Sequence, residues 1–256
     1  MSGDDSALLV AAQSGNKNAI AALLERYQDT VFRFGKTLCR CDDDARDVLQ
    51  DTLMTVVDKL GDFRGEASFT SWLYAIARSQ CSRQRRKTAR ETPCDAPREM
   101  IDPRRIGEDA LVSQQNQRAV ELAIGALEPI YQETLVLRDL EGLSAPEVAR
   151  TLGITVDAVK SRLHRARAQL RASLTTAGHA PNCPDVVSML SRHLEGDLTG
   201  KDCAAMEKHV INCVSCTHAC NGLKETLALC RQAGQAVAPP ETRQAVVQAL
   251  GLLTLG

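Results

Sequence analysis

The chain has 256 residues, 44% hydrophobic and 3% aromatic content, and a formal net charge of −1. Its length allows one domain or two to three small ones, and few aromatics beside abundant Ala, Leu, Val and Arg favour an all-α fold over sheets. The acidic, polar start MSGDDSALLV is no signal peptide and no apolar run approaches a membrane span, so the expectation is a cytoplasmic protein with no membrane partner. In that compartment the ten cysteines stay reduced, which favours metal ligation or redox sensing over a disulfide framework.

In chain order, Leu8 to Leu38 has helical spacing, and Gly15-Asn16 divides it into two helices. CDDDARDVLQDTLMTVVDKL opens with aspartates suited to capping a helix and to the positive end of its dipole. Val48, Leu49, Leu53, Val56, Val57 and Leu60 then line one apolar face. GDFRGEASFT breaks the pattern with two glycines. A further helix starts near Ser68 or Thr70, apolar in its first half and basic in its second, with Trp72 and Tyr74 expected in the core. The proline-containing stretch 91–116 reads as a linker between a first domain, 1–90, and a second, 117–176.

The second domain closes on a helix-turn-helix pattern. In LSAPEVARTLG, Ser144 is placed to cap, Val148, Ala149 and Leu152 face inward, and Gly153 permits the tight turn. Thr155 caps the next helix, TVDAVKSRLHRARAQL, whose Val156, Val159 and Leu163 face the partner helix. That leaves Asp157, Lys160, Ser161, His164, Arg165 and Arg167 to face DNA. Residues 177–182 form a second linker, 183–235 a Cys-rich third domain, and 236–256 a tail with a short amphipathic run.

The near-neutral net charge hides two local concentrations. Arg78 to Arg90 holds six basic residues and no acid, and Lys160 to Arg171 holds five and no acid. These read as two phosphate-contacting faces. No nucleophile elbow, P-loop or HExxH pattern is present in the sequence, so no enzymatic activity is expected.

With these motifs in this order, the chain resembles the extracytoplasmic-function sigma factors, promoter-specificity subunits of bacterial RNA polymerase, over roughly residues 6–90 and 117–175. The resemblance implies that DARDVLQDTLMTVVDKL docks on the polymerase clamp through Asp47, Gln50 and Asp51. It also implies that FRGEASFTSWLYAIAR opens the −10 element. Arg64, Gly65, Glu66, Ser68 and Phe69 would form the base-capturing loop, and Arg78, Arg83, Arg85, Arg86 and Lys87 the basic track behind it. Ser79 stands where the family usually has Asn, so no base contact is assigned there. By the same resemblance, Thr155, Asp157, Lys160, Ser161, His164, Arg165 and Arg167 would read the −35 element, with polymerase core and promoter DNA as partners.

The stretch HVINCVSCTHAC concentrates metal-ligand chemistry. In a continuous helix Cys216 would lie roughly 10 Å along the axis from His209, too far for bonds of ~2.0–2.3 Å to one ion. If His209, Cys213 and Cys216 share an ion, the helix must break near Cys213. H-x3-C-x2-C with that break resembles the zinc-binding anti-sigma fold, a small helical domain. That resemblance implies Cys183 as fourth ligand of a structural zinc, and a brake on sigma activity that needs no separate anti-sigma factor. Cys203, Cys220 and Cys230 remain as a possible second metal or redox site for a soft or borderline metal such as cadmium, zinc or copper. This arrangement resembles the metal-responsive CorE-like sigma factors. Two rival readings stay open: a metal- or redox-responsive repressor acting without polymerase, and a thiol oxidoreductase using CVSC, for which the βαβ setting is missing.

Overall fold

The computed structural model describes residues 3–39, 41–88, 120–174, 183–233 and 237–249, and among them every regular element is helical. Both expected linkers, 91–116 and 177–182, fall outside these residues. The chain forms two compact units, residues 1–101 with 235–256, and residues 102–234.

The first unit contains α1 (Gly3–Gln13), α2 (Lys17–Leu38), α3 (Asp42–Lys59) and α4 (Phe69–Thr88). Asn16 caps α2, its side chain accepting from the Ala19 N–H at 3.1 Å. The start of α3 departs from the sequence expectation. Cys41 holds the cap position without a side-chain capping hydrogen bond, and Asp42, Asp43 and Asp44 lie inside the first turn, where they act on the dipole rather than as caps. Phe34 of α2, Leu49 and Leu53 of α3, and Leu73 and Tyr74 of α4 meet in a dry core. A Cβ at Gly35 would sit 3.4 Å from the Ala45 carbonyl oxygen, so α2 and α3 approach closely there.

The tail joins this same unit. Its helix, Pro240–Ala249, packs on α2 and α3. The Ala238 N–H donates to the Asp29 carboxylate at 2.9 Å, and Ala238 and Thr242 are buried.

The second unit begins with a helical stretch, 120–125 (α5), followed by α6 (Pro129–Leu135), which runs into one π-helical turn, Val136–Leu140. Next come α7 (Ala145–Leu152) and α8 (Val156–Leu174). Ser144 and Glu147 form a reciprocal capping box at the start of α7, and Gly153 ends it with φ +67°, a left-handed turn that only glycine adopts without strain. The Thr155 hydroxyl accepts from the Ala158 N–H at 3.1 Å and starts α8.

The Cys-rich segment supplies α9 (Val186–Leu194), α10 (Gly200–Asn212) and α11 (Val214–Ala233). Val186, Val187, Leu190, Met206, Leu223 and Leu227 close its core. Both α9 and α11 also pack on α8, so the helix-turn-helix and the Cys-rich segment share one compact unit. With the tail helix named α12, α1 to α4 belong to the first unit, α5 to α11 to the second, and α12 again to the first. Among the described residues no helix is long and apolar enough to cross a membrane.

Candidate metal centre and nucleic-acid interface

The helix α10 ends at Asn212, Cys213 takes extended backbone (φ −127°, ψ 106°), and α11 begins at Val214. This is the break that one shared ion requires. It brings Cys183, His209, Cys213 and Cys216 together, with their ligand atoms all within 4.8 Å of one another. Cys183 Sγ lies 3.7 Å from Cys213 Sγ, and His209 Nε2 lies 3.2 Å from Cys216 Sγ. For zinc bonds of ~2.3 Å to sulfur, neighbouring thiolates of a tetrahedron are about 3.8 Å apart, so the set fits zinc. Burial, then the neighbouring Cys183 and Cys213, push the Cys216 thiol up to about 12, whereas the Cys216 backbone N–H leads in lowering Cys213. Thiols crowded this way ionise together only when a cation offsets their charge.

The remaining cysteines of this segment have separate neighbours. Cys220 is buried in the apolar core with Leu223 and Ala219. Cys203 lies half-buried on α10, beside His193 and Glu207. The side chain of Cys230 is outside the described residues.

The acid-free face of α8 is not free in the way its sequence suggests. Asp157, Ser161 and Arg165 are exposed, and Arg165 reaches the Tyr131 hydroxyl at 3.5 Å. His164 is half-buried, with Nδ1 lacking a partner. Arg167 overturns its assignment as a DNA contact, being only 1% exposed. Its guanidinium donates to both Asp139 oxygens at 2.8 and 2.6 Å, to Glu195 at 2.8 Å, and to the Ser191 hydroxyl at 3.0 Å. Burial alone would lower its pKa, but Asp139 and then Glu195 hold it above the usual arginine value. Periodicity put Arg167 on the polar side of α8. The partners that bury it come from the π-helical turn and from α9 and the turn after it, which no spacing rule on α8 could reveal.

Two more cations of this block are held by the turn after α9. Arg138 Nε donates to the second Glu195 oxygen at 3.0 Å. Lys160, one of the residues expected to face DNA, pairs with Asp197. Sequence reasoning missed Asp139, Glu195 and Asp197, because isolated acids far apart in the chain carry no local signal.

In the first unit, Arg64, Gly65 and Glu66 form an exposed loop, with Gly65 at φ +73°. Two members of the expected base-capturing set are otherwise engaged. Ser68 caps α4, accepting from the Ser71 N–H at 3.2 Å. Phe69 is 1% exposed, and its ring packs at 5.0 to 5.6 Å from those of Tyr27, Phe63 and Trp72. The aromatic cluster wins over base contact because ring burial removes a large apolar area from water. Arg83, Arg86 and Lys87 are exposed, whereas Arg78 and Arg85 are half-buried. Beside them an open groove of about 490 Å³ is lined by Trp72, Ile76, Ser79, Arg83 and Lys59.

Asp47, Gln50 and Asp51 are exposed along α3. Asp47 accepts weakly from Gln84 at 3.4 Å, and its carboxyl is raised, chiefly by desolvation, with Lys87 opposing and Asp51 adding to the rise.

Three family matches cover these blocks: "Sigma-70 region 2" over residues 23–91, "Sigma-70, region 4" over 117–170, and "Putative zinc-finger" over 183–217. The chain is 34% identical over 167 residues to the ECF RNA polymerase sigma factor SigM of Mycobacterium tuberculosis, covering 65% of this chain and 82% of that protein. The chain belongs to the ECF sigma factors of the sigma-70 family. Members of this family are regulatory DNA-binding proteins rather than enzymes. The chain is also 30% identical to the RNA polymerase sigma factor CnrH of Cupriavidus metallidurans, covering 68% of this chain and 97% of that one. The solved structure of CnrH with the cytosolic domain of CnrY superposes with a TM-score of 0.51 at 29% identity, covering 65% of this chain and 94% of that one. That complex pairs a sigma factor with a separate polypeptide, so the expectation that this chain requires none receives no support. The region 2 match, together with the sigma factor relatives, does not favour the repressor reading.

Proposed function

We propose that this ECF sigma factor directs RNA polymerase core to specific promoters, and that metal binding to its own C-terminal domain controls that activity. In this reading α3 offers Asp47, Gln50 and Asp51 to the polymerase, the loop 64–66 and the basic half of α4 engage the −10 region, and α8 engages the −35 region. Zinc on Cys183, His209, Cys213 and Cys216 holds α9, α10 and α11 in place. The observation that carries the regulatory part is the grip of Glu195 and Asp197 on Arg138, Arg167 and Lys160. Of these cations Lys160 is the one expected to face DNA, and Asp197 occupies it as a phosphate would, while Arg138 and the buried Arg167 tie Glu195 of the same turn to the block. Because the domain is tethered, its effective concentration is of order mM, so even a weak grip is occupied.

The test is run-off transcription with polymerase core, comparing wild type with the Glu195→Ala, Asp197→Ala double variant. The variant is expected to transcribe more at equal concentration. Equal output from both proteins would show that the acidic turn is not a brake.

A further inference from the structure

The last turn of α9 and the turn that follows it do two things within five residues. Glu195 and Asp197 hold the cations of the helix-turn-helix, while His193 engages α10. His193 Nδ1 lies 3.5 Å from Cys203 Sγ, and that sulfur lies 3.6 Å from Glu207 Oε1. Cys203 and Glu207 stand at i, i+4 on α10 and so share one helix face. For a tetrahedral ion with bonds of ~2.3 Å to sulfur and ~2.0–2.1 Å to nitrogen or oxygen, such neighbouring ligand atoms lie about 3.5 Å apart. Both edges through Cys203 are therefore already at ligand spacing. The third, between His193 and Glu207, would have to close by rotation of the exposed Glu207 side chain when an ion binds. His193 is exposed too, and Cys203 half-buried, so an ion can enter from solvent and water can complete its shell. None of these residues belongs to the Cys183, His209, Cys213 and Cys216 set.

We infer that His193, Cys203 and Glu207 form a second, solvent-open site for a borderline divalent cation such as zinc, cobalt or cadmium. One thiolate, one imidazole and one carboxylate with an open position suit such ions. The site has a regulatory sign. The conformation that presents His193 to Cys203 is the one that also seats Glu195 on Arg167. An ion that ties α9 to α10 there binds this state better, and by linkage favours the gripped helix-turn-helix. This last step rests on the reading of the acidic turn as a brake; the binding site does not.

The experiment titrates the full chain with cadmium and counts bound equivalents, then repeats the titration with cobalt to read thiolate-to-metal absorption. Wild type is expected to bind two equivalents, the second with the absorption of a single thiolate. Cys203→Ser and His193→Ala are expected to bind one, with helical content unchanged because both positions lie outside the apolar core. Glu207→Gln keeps the second equivalent but weakens it at least about tenfold. Cys220→Ser keeps both equivalents. One equivalent in wild type, or two in Cys203→Ser, overturns the site; loss of the second ion in Cys220→Ser but not in Cys203→Ser moves it elsewhere and overturns it equally. In parallel, affinity for duplex DNA at low salt is measured as the second equivalent is added. A severalfold loss in wild type, absent in Cys203→Ser, supports the sign. A second ion that binds without changing DNA affinity leaves the site standing and overturns its link to the brake.

Discussion

Arg165 and Arg167 are two residues apart on α8, yet they face opposite physical situations. Arg165 is exposed, and it makes a long reach to the Tyr131 hydroxyl. Arg165→Ala is expected to weaken binding to all duplexes alike and to lower the slope of log K against log salt by ~1, checked by titration across salt concentrations. Arg167 is buried against Asp139 and Glu195. Its replacement by Ala leaves the buried Asp139 without this cation and Glu195 with Arg138 alone, at a cost of about 3–5 kcal/mol. The expected result is a lower thermal midpoint with no specific change in the salt slope. Replacing Arg167 by Met, which fills the space without the charge, does not restore stability while both carboxylates remain.

At the scale of elements, α3 and the break between α10 and α11 make contrasting demands. The face of α3 proposed to dock is solvated, and the helix is held by Val48, Leu49, Leu53 and Val56 on the opposite side. Asp47→Arg is therefore expected to abolish association with polymerase core while leaving the circular dichroism spectrum and thermal midpoint near wild type. An unfolded variant would mean that Asp47 supports α3 through Gln84 instead. The junction at Cys213 is anchored more thinly, with Val210 and Cys213 only half-buried against the apolar core. It is a bend of one residue with extended backbone, beside exposed Ile211 and Val214. Cys213→Ser removes one of four ligands there and is expected to reduce zinc retention and loosen α10 against α11, visible as lost helicity and faster hydrogen exchange in residues 200–227.

For the whole molecule, metal removal should affect more than the Cys-rich segment. Structural zinc contributes folding free energy of roughly 10–16 kcal/mol in small zinc domains, and the core of this one holds only a handful of aliphatic side chains. Chelation of the intact chain is expected to melt α9 through α11 and to release Lys160 and Arg138 from the acidic turn. Two readouts then move together: helicity falls, and affinity for duplex DNA at low salt rises. Helicity that falls without any gain in DNA affinity would separate folding of the domain from the grip on α8.

Much of this organisation is local, and local features are written in sequence. The capping box at Ser144, the left-handed turn at Gly153, the apolar face of α3 and the His209, Cys213 and Cys216 spacing each involve residues within a few turns of chain. Helix period and bond reach suffice to read them. The need for a bend at Cys213 follows from the same arithmetic. What spacing could not supply is the identity of neighbours from other elements. Phe69 looked like a loop residue until Tyr27, Phe63 and Trp72 surrounded it, and Arg167 looked like a phosphate ligand until Asp139 and Glu195 closed on it. His193 carried no signal until the approach of α9 to α10 set it beside Cys203. A side chain's chemistry belongs to its residue, but its desolvation and its charge partners are set by whichever distant segments pack against it, and only the tertiary structure decides those.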